Sequence, residues 1–211
     1  MNRPIAAGIV GETTARIVAG VLVLGGMALG FVCGVEFAFV SGLYAVHTFM
    51  YSFKLKHIAT VEMVALSAGF ILRVAAGGVL VQAETSQWLF ACIAGGALLM
   101  ASGKRSAELK HAPGTRGVLA DYNEAYLTTV RSGAVAMAVV GYALWIYNGK
   151  LGGGVAAQIS ILPYLAAILR YAQVSALGEA GEPEDVVLKD RILQFNGVAW
   201  IFCVAVGMYL A

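Results

Sequence analysis

The feature that most constrains this chain is a succession of seven long apolar runs. A helix needs about 20 apolar residues to cross the hydrocarbon core of a bilayer, and several of these runs approach or exceed that length. Only 12% of the residues are charged, whereas about 25% is typical of a soluble domain. The sequence therefore predicts an all-α, polytopic membrane helix bundle, with spans at 15–31, 34–53, 58–81, 87–102, 126–147, 155–174 and 192–211.

Basic residues collect at one set of span ends, and Lys150 is the only base at the other set. Because membrane proteins retain Lys and Arg in their cytoplasmic loops, this asymmetry predicts an N-terminus inside and a C-terminus outside. We expect a multi-pass protein of the cell inner (plasma) membrane whose active face is cytoplasmic. The bases at that face are Arg3, Arg16, Lys54, Lys56, Lys104, Arg105, Lys110, Arg116, Arg170, Lys189 and Arg191.

Arg73 lies in the middle of the predicted span 58–81. A full charge at the centre of a lipid-exposed helix costs about 3 kcal/mol or more, so such residues usually face a polar cavity in the bundle. One interpretation is that Arg73 binds something negatively charged. The other is that Arg73 extends its charge to the interface or pairs with a structural partner.

Acids and bases alternate near the end of the fourth span, where Lys104 and Arg105 are followed by Glu108. Lys104 and Glu108 are four residues apart and share one face if the helix continues that far. Ammonium, guanidinium and carboxylate groups at one membrane face suit a phosphate ligand that carries Mg²⁺, because Mg²⁺ is usually held by one or two carboxylates and phosphate oxygens. Cytoplasmic retention alone would also explain many of the bases.

Several short motifs, in this order, resemble those of the UbiA superfamily of intramembrane prenyltransferases. Residues 3–8 (RPIAAG) resemble its R-P-I-x-x-G, residues 51–57 (YSFKLKH) its Y-S-x-x-L-K, and residues 69–78 (GFILRVAAGG) its G-F-x-x-R-x-x-A-G. One branch is more similar than the rest, the decaprenyl-phosphate phosphoribosyltransferases. Its G-K-R-x-x-E-L is matched by residues 103–109 (GKRSAEL), and its C-terminal motifs by residues 170–171 (RY), 181–185 (GEPED) and 188–194 (LKDRILQ).

The resemblance implies a bundle of the UbiA type with nine transmembrane helices, of which seven are expected here. The chain is then a single transmembrane domain over 1–211 that lacks the first two helices and the first aspartate-rich motif, N-D-x-x-D-x-x-x-D. We expect such a truncated chain to be inactive alone. Residues 104–108 also replace the superfamily's usual second motif, D-x-x-x-D, and keep only one acid, Glu108.

The resemblance further implies Mg²⁺-dependent transfer of 5-phosphoribose from phosphoribosyl diphosphate to a polyprenyl (decaprenyl) phosphate, which would feed arabinose and glycoconjugate synthesis for the cell envelope. Diphosphate is released. Partners are then the lipid, the soluble donor and the bilayer; a homo-oligomer is compatible with this, and a nucleic-acid partner is not expected.

The candidate site residues fall into three groups. In the first, Lys104 and Arg105 bind donor phosphates and Glu108 takes part in metal coordination. The second group is expected to contact phosphates of the donor or the lipid and consists of Lys54, Lys56 and Arg73. The third group is expected to have further binding roles and consists of Tyr51, Tyr122, Tyr126, Arg170 and Asp190. Tyr51 and Tyr126 are equally typical of interfacial aromatics, and Asp190 of a helix start.

Two other classes of protein remain open at this point. An aromatic or quinone-type prenyltransferase shares the scaffold but needs a second acidic pair, and Glu108, Asp121 and Glu124 lack the required spacing. A transporter or another non-catalytic membrane protein would need inverted repeats or several ionisable residues near mid-bilayer. We expect one cavity, open to the cytoplasmic side, that is lined by Lys54, Arg73, Lys104 and Glu108.

Overall fold

The computed structural model describes residues 8–9, 11–112, 114, 117–148 and 154–209. Within these residues the chain forms nine α-helices, two 3₁₀ turns and no strand. Arg3 and most of the RPIAAG motif, Arg116 and Lys150 lie outside the described residues. The helices are α1 Glu12–Cys33, α2 Val35–Phe53, α3 Val61–Leu80, α4 Gln87–His111, α5 Glu124–Asn148, α6 Val155–Ile159, α7 Ile161–Ala176, α8 Pro183–Lys189 and α9 Arg191–Tyr209, and the 3₁₀ turns are Leu55–His57 and Gly117–Asp121.

The prediction of an all-α polytopic membrane bundle is confirmed. In the described part of the chain, five stretches are long and apolar enough to span a membrane, namely α1, α3, α5, the α6–α7 segment and α9. The predicted spans 34–53 and 87–102 are also helical, as α2 and α4, but these two helices are not among the five. Helix α4 differs most from its prediction, because it continues to His111 and carries the charged residues 104–111 in its last turns.

The centre of the bundle is the pair α4 and α5. A Cβ atom on Gly95 of α4 would lie 2.5 Å from the backbone nitrogen of Ala138, and one on Gly141 of α5 would lie 2.6 Å from that of Cys92. Only glycine permits such backbone contact, which is the usual role of small residues between membrane helices. Helices α3 and α7 pack against this pair, α9 packs against α7, and α2 and then α1 follow on the far side of α3.

The two ends of the bundle differ in chemistry. At one end, hydroxyl and indole groups join α5, the α6–α7 segment and α9. Trp200 Nε1 donates a hydrogen bond to the Tyr142 hydroxyl at 2.7 Å, and this hydroxyl is also 2.7 Å from Oγ of Ser160, between α6 and α7. At the other end lie charged side chains of α3, α4, α5 and α7 and the carboxylate of Asp190, which directly precedes α9, and the candidate site lies there.

Candidate functional site

A cavity of about 790 Å³ opens at the charged end of the bundle. One wall is the last part of α4, and the other runs from the end of α7 through α8 to the start of α9. Four of the predicted site residues line this cavity: Lys104, Glu108, Arg170 and Asp190. The structure thus brings the motif at residues 103–109 and the C-terminal motifs at 170–171 and 188–194 to one site.

The α4 wall presents Lys104, Glu108 and His111. These residues are spaced i, i+4 and i+7, and they share one face because α4 continues to His111. The prediction that Lys104 and Glu108 lie on one face is therefore confirmed. Lys104 is half-buried and forms no hydrogen bond or ion pair with any residue that the structure describes. Its ammonium group is available for an anionic ligand.

The opposite wall holds its charges in pairs. Arg170 Nε donates a hydrogen bond to Oδ2 of Asp190 at 2.8 Å, and Lys189 Nζ donates one to Oδ2 of Asp185 at 2.5 Å. The hydrogen bond from Arg170, together with one from the Leu193 backbone N–H, lowers the pKa of Asp190. The hydrogen bond to Asp185 raises the pKa of Lys189. Both shifts favour the ionised forms of Asp190 and Lys189 at neutral pH.

The cavity wall carries more acids than bases. Its bases are Lys104, Arg170 and Lys189, its acids are Glu108, Glu179, Glu182, Asp185 and Asp190, and His111 adds an imidazole. Three positive and five negative side chains leave a net acidic wall. A ligand with several phosphate groups would fit such a wall best together with a divalent cation, which would offset charge on both sides.

Arg105 lies behind the α4 wall and does not line the cavity. Its side chain is 2% exposed. Nε donates a hydrogen bond to Oε1 of Glu62, at the start of α3, at 2.7 Å, and a terminal nitrogen donates one to Glu108. Glu62 is fully buried. We expected Arg105 to bind donor phosphates, but the packing of α3 against α4 instead encloses its guanidinium between two carboxylates.

A second group of polar residues adjoins this cluster at the start of α5. Ser106 Oγ donates a hydrogen bond to Glu124 at 2.6 Å, and Arg131 donates one to the other carboxylate oxygen at 3.0 Å.

Burial raises the pKa of Tyr122 to about 12. The nearby Glu62 carboxylate also raises this pKa, whereas the hydrogen bond from the Thr60 N–H lowers it. Tyr122 therefore remains a neutral phenol at physiological pH.

Tyr122 and Tyr126 sit beside the main cavity. Tyr122 lines a smaller cavity of about 410 Å³ with Ser106 and Glu124. Its ring stacks on that of Tyr126 with 5.8 Å between centroids, and the hydroxyl of Tyr126 lies 2.8 Å from Oγ1 of Thr60. These contacts join the start of α3 to the start of α5. Their binding roles stay predictions.

Four predicted site residues lie away from the main cavity, in or after α2 and in α3: Tyr51, Lys54, Lys56 and Arg73. Arg73 and Tyr51 line a separate cavity of about 170 Å³. Arg73 donates a hydrogen bond to the Tyr44 hydroxyl, and its guanidinium carbon lies 4.9 Å from the centroid of that ring.

The expectation that Lys54 and Arg73 share one cavity with Lys104 and Glu108 is therefore wrong. Arg73 follows Glu62 by eleven residues, which places it about 16 Å further along α3 at a rise of 1.5 Å per residue. At that depth its neighbours are side chains of α2. Lys54 directly follows α2 and is exposed.

The described residues contain no group of three or more His, Cys, Asp or Glu side chains placed to hold a metal ion. Mg²⁺ is often bound by only one or two carboxylates, with phosphate oxygens and waters completing the octahedron. Glu108, on the cavity wall, fits the role of one protein ligand to an ion that arrives with a phosphate substrate. The described residues do not form a preformed magnesium site.

Sequence reasoning missed several residues of this site. His111 could have been found from its i+7 spacing to Lys104, once α4 is drawn beyond residue 102. Glu62 is an acid inside an apolar run, which is itself a sign of a buried partner. Glu182, Asp185 and Lys189 lie in the motifs at 181–185 and 188–194, which indicated the family, but the residue types alone did not assign them to the cavity, because exposed charges are typical of a short connecting helix.

No family model matches the chain. Three curated proteins named decaprenyl-phosphate phosphoribosyltransferase are similar to nearly all of it. The protein of Corynebacterium glutamicum is 37% identical over 217 residues, which cover 99% of this chain and 65% of that protein. Those of Mycolicibacterium smegmatis and Mycobacterium tuberculosis are 36% and 38% identical, over 99% and 98% of this chain and 70% of each relative.

The chain thus spans about two thirds of the length of these relatives. The similarity includes the α4 wall and the α7–α9 wall, because it covers almost every described residue. The branch that the motifs indicated is confirmed by these matches. This chain belongs to the decaprenyl-phosphate phosphoribosyltransferase family.

Proposed function

We propose that this chain carries the donor cavity of a membrane-embedded transferase that moves 5-phosphoribose from phosphoribosyl diphosphate to a polyprenyl phosphate. The observation that supports this most is that Lys104 and Glu108 line the same cavity of about 790 Å³. Lys104 has no hydrogen-bond or ion-pair partner among the described residues. Such a cavity offers a cation for phosphate and a carboxylate for a phosphate-borne metal ion.

The reaction needs no protein nucleophile. An oxygen of the lipid phosphate attacks the anomeric carbon of the donor, and the bond from that carbon to the diphosphate oxygen breaks. The diphosphate leaves with the bonding electron pair. Because positive charge develops on the ribose ring and negative charge on the leaving group, the protein contributes positioning and charge neutralisation.

Each wall has a part in this proposal. Lys104 would donate hydrogen bonds to the donor's phosphates from the α4 wall. Arg170, whose Nε and terminal nitrogens are held by Asp190 and Gln173, would add positive charge from the α7 wall. Mg²⁺, when bound, would neutralise charge on the diphosphate, with Glu108 as its protein ligand.

The position of the cavity suits two substrates of opposite solubility. It opens at the end of the helices where Lys and Arg collect, so we place it at the cytoplasmic face of the inner (plasma) membrane. The donor would enter from the cytoplasm, and the lipid acceptor would keep its isoprenoid chain among the apolar helices. In this proposal residues 1–211 act as one transmembrane domain, and the product would supply cell-envelope glycoconjugate synthesis.

The test is transfer of labelled phosphoribose in membranes from a host that expresses the protein at its natural length. We expect label to enter the organic phase only when polyprenyl phosphate is added, with one diphosphate released for each transfer. Host membranes without the protein and reactions without lipid are the controls. Prenylation of an aromatic acceptor from a polyprenyl diphosphate, with no ribosyl transfer, would contradict the proposal and favour the aromatic prenyltransferase class.

A further inference from the structure

Arg105 is held on two edges by protein carboxylates. Its Nε donates to Oε1 of Glu62 at 2.7 Å, and a terminal nitrogen donates to Glu108. Its side chain is 2% exposed, and the Glu62 side chain is fully enclosed. Arg105 therefore lies between a buried acid on α3 and an acid at the cavity wall on α4.

The charge balance keeps Arg105 in this place. Arg105 is the only ion-pair partner of Glu62 among the described residues, and the other oxygen of Glu62, Oε2, has no hydrogen-bond partner there. If Arg105 turned to bind a phosphate, a fully buried carboxylate would lose its compensating charge, which is strongly unfavourable. The geometry thus opposes a direct contact between Arg105 and a ligand.

The Glu108 side chain, in contrast, is 18% exposed and lines the cavity beside Lys104. A guanidinium group is planar and presents its N–H donors in fixed directions, so it constrains the orientation of a carboxylate more than an ammonium group does. Because Glu62 holds one edge of that plane, the direction of the other edge, and hence of Glu108, depends on Glu62.

We propose that Glu62 and Arg105 are positioning residues that fix the Glu108 carboxylate at the wall of the donor cavity. Arg105 acts through Glu108, and Glu62 acts through Arg105. This inference rests on the proposed function, because the site that it organises is the phosphoribosyl donor cavity. It assigns a role to Glu62, which no sequence motif indicated, and it replaces the expectation that Arg105 binds donor phosphates.

The first experiment is a double-mutant cycle on the transfer reaction with Glu62→Gln, Glu108→Gln and the double variant. We expect Glu62→Gln to lower kcat about tenfold while the KM for phosphoribosyl diphosphate changes less than about twofold. In the Glu108→Gln background, Glu62→Gln should change kcat less than about twofold, because the group that it positions is already altered. Effects that multiply, or a rise in donor KM with unchanged kcat, would overturn the inference.

Two further variants separate positioning from stability. Glu62→Leu combined with Arg105→Met replaces the buried pair by apolar side chains, a change that often preserves folding. We expect this protein to fold with a Tm near that of wild type and to lose activity about tenfold or more. Wild-type activity would contradict the proposal.

The control variant is Glu12→Gln, which removes a carboxylate from an exposed pair with Arg16 and should leave kcat unchanged.

Thermal unfolding gives a readout that does not depend on the reaction. If the three side chains form one unit, the losses of Tm from Glu62→Gln and Glu108→Gln should add to clearly more than the loss in the double variant. Losses that add would overturn the inference even if wild-type protein transferred no ribose. Absence of transfer by wild-type protein, with coupled Tm losses, would instead contradict the proposed function and leave the positioning network supported.

Discussion

Oδ2 of Asp190 lies 2.8 Å from Nε of Arg170, and this contact joins the last turns of α7 to the start of α9. The other carboxylate oxygen of Asp190 accepts a hydrogen bond from the Leu193 backbone N–H at 2.9 Å. Asp190 therefore closes one side of the cavity and caps α9 at the same time.

The pairing predicts an acid-dependent loss of stability. Because the pKa of Asp190 is lowered in the folded protein, its stabilising contribution is fully present above the ordinary aspartate pKa of about 3.9. That contribution is lost as the pH falls through the lowered pKa. Asp190→Asn keeps a capping oxygen but has no charge, so its Tm should fall less steeply below about pH 4 than that of wild type. Identical slopes for both proteins in detergent would contradict this.

Helix packing gives a prediction with an internal control. Gly95→Ala would place a methyl group 2.5 Å from a backbone nitrogen of α5, whereas Gly96→Ala meets nothing within 4 Å. Overpacking of this kind usually costs about 1–3 kcal/mol. We expect Gly95→Ala to lower the Tm and the yield of folded protein, and Gly96→Ala to behave as wild type. Equal Tm values for the two variants would show that α4 and α5 separate easily.

Lys104→Ala should weaken use of the donor. The substitution removes a charge-assisted hydrogen bond to phosphate, worth about 1.5–3 kcal/mol, so the KM for phosphoribosyl diphosphate should rise about ten- to a hundredfold. Lys104→Asp should raise it further, because it reverses the charge. Measurements at saturating lipid separate this effect from acceptor binding.

The control for this prediction is Lys110→Ala. Lys110 is an exposed lysine of the same helix whose ammonium donates a hydrogen bond to the carbonyl oxygen of Leu177. Its removal should change the donor KM less than about threefold. If Lys104→Ala and Lys110→Ala behave alike, Lys104 serves only as a cytoplasmic anchor.

Arg73→Gln should affect the lipid rather than the donor. Arg73 lies in a separate cavity between α2 and α3, far along α3 from the donor cavity. We expect the KM for polyprenyl phosphate to rise about tenfold and the donor KM to stay near its wild-type value. Tyr44→Phe, which removes the hydrogen-bond partner of Arg73 and keeps the ring, should have a smaller effect. A rise in the donor KM alone would contradict this assignment.

The sequence predicted those parts of the structure that depend on local order. Apolar run length predicted all seven helical spans, and the spacing of Lys104 and Glu108 predicted their common face. The motif at residues 103–109 indicated the family, and the relatives confirm it. Each of these inferences needs only the helical period or the order of residues along the chain.

The features that the sequence could not predict depend on which helices touch. Whether Arg105 faces a ligand or an acid is decided by α3, whose Glu62 lies 43 residues earlier in the chain. Arg73 was expected beside Lys104 because a charge inside an apolar helix usually faces a polar cavity, yet its depth along α3 places it against α2. Without the packing of α2, α3 and α4, neither neighbour could be inferred.

The two walls of the cavity differ in how they are built. The α4 wall belongs to one continuous helix, so the helical period sets the spacing of Lys104, Glu108 and His111. The other wall includes α8, a seven-residue helix reached through Gly178, whose φ of +73° suits glycine. We expect any adjustment to ligands of different size to fall on α8. We therefore expect substitutions in α8, rather than in α4, to change which donors the cavity accepts.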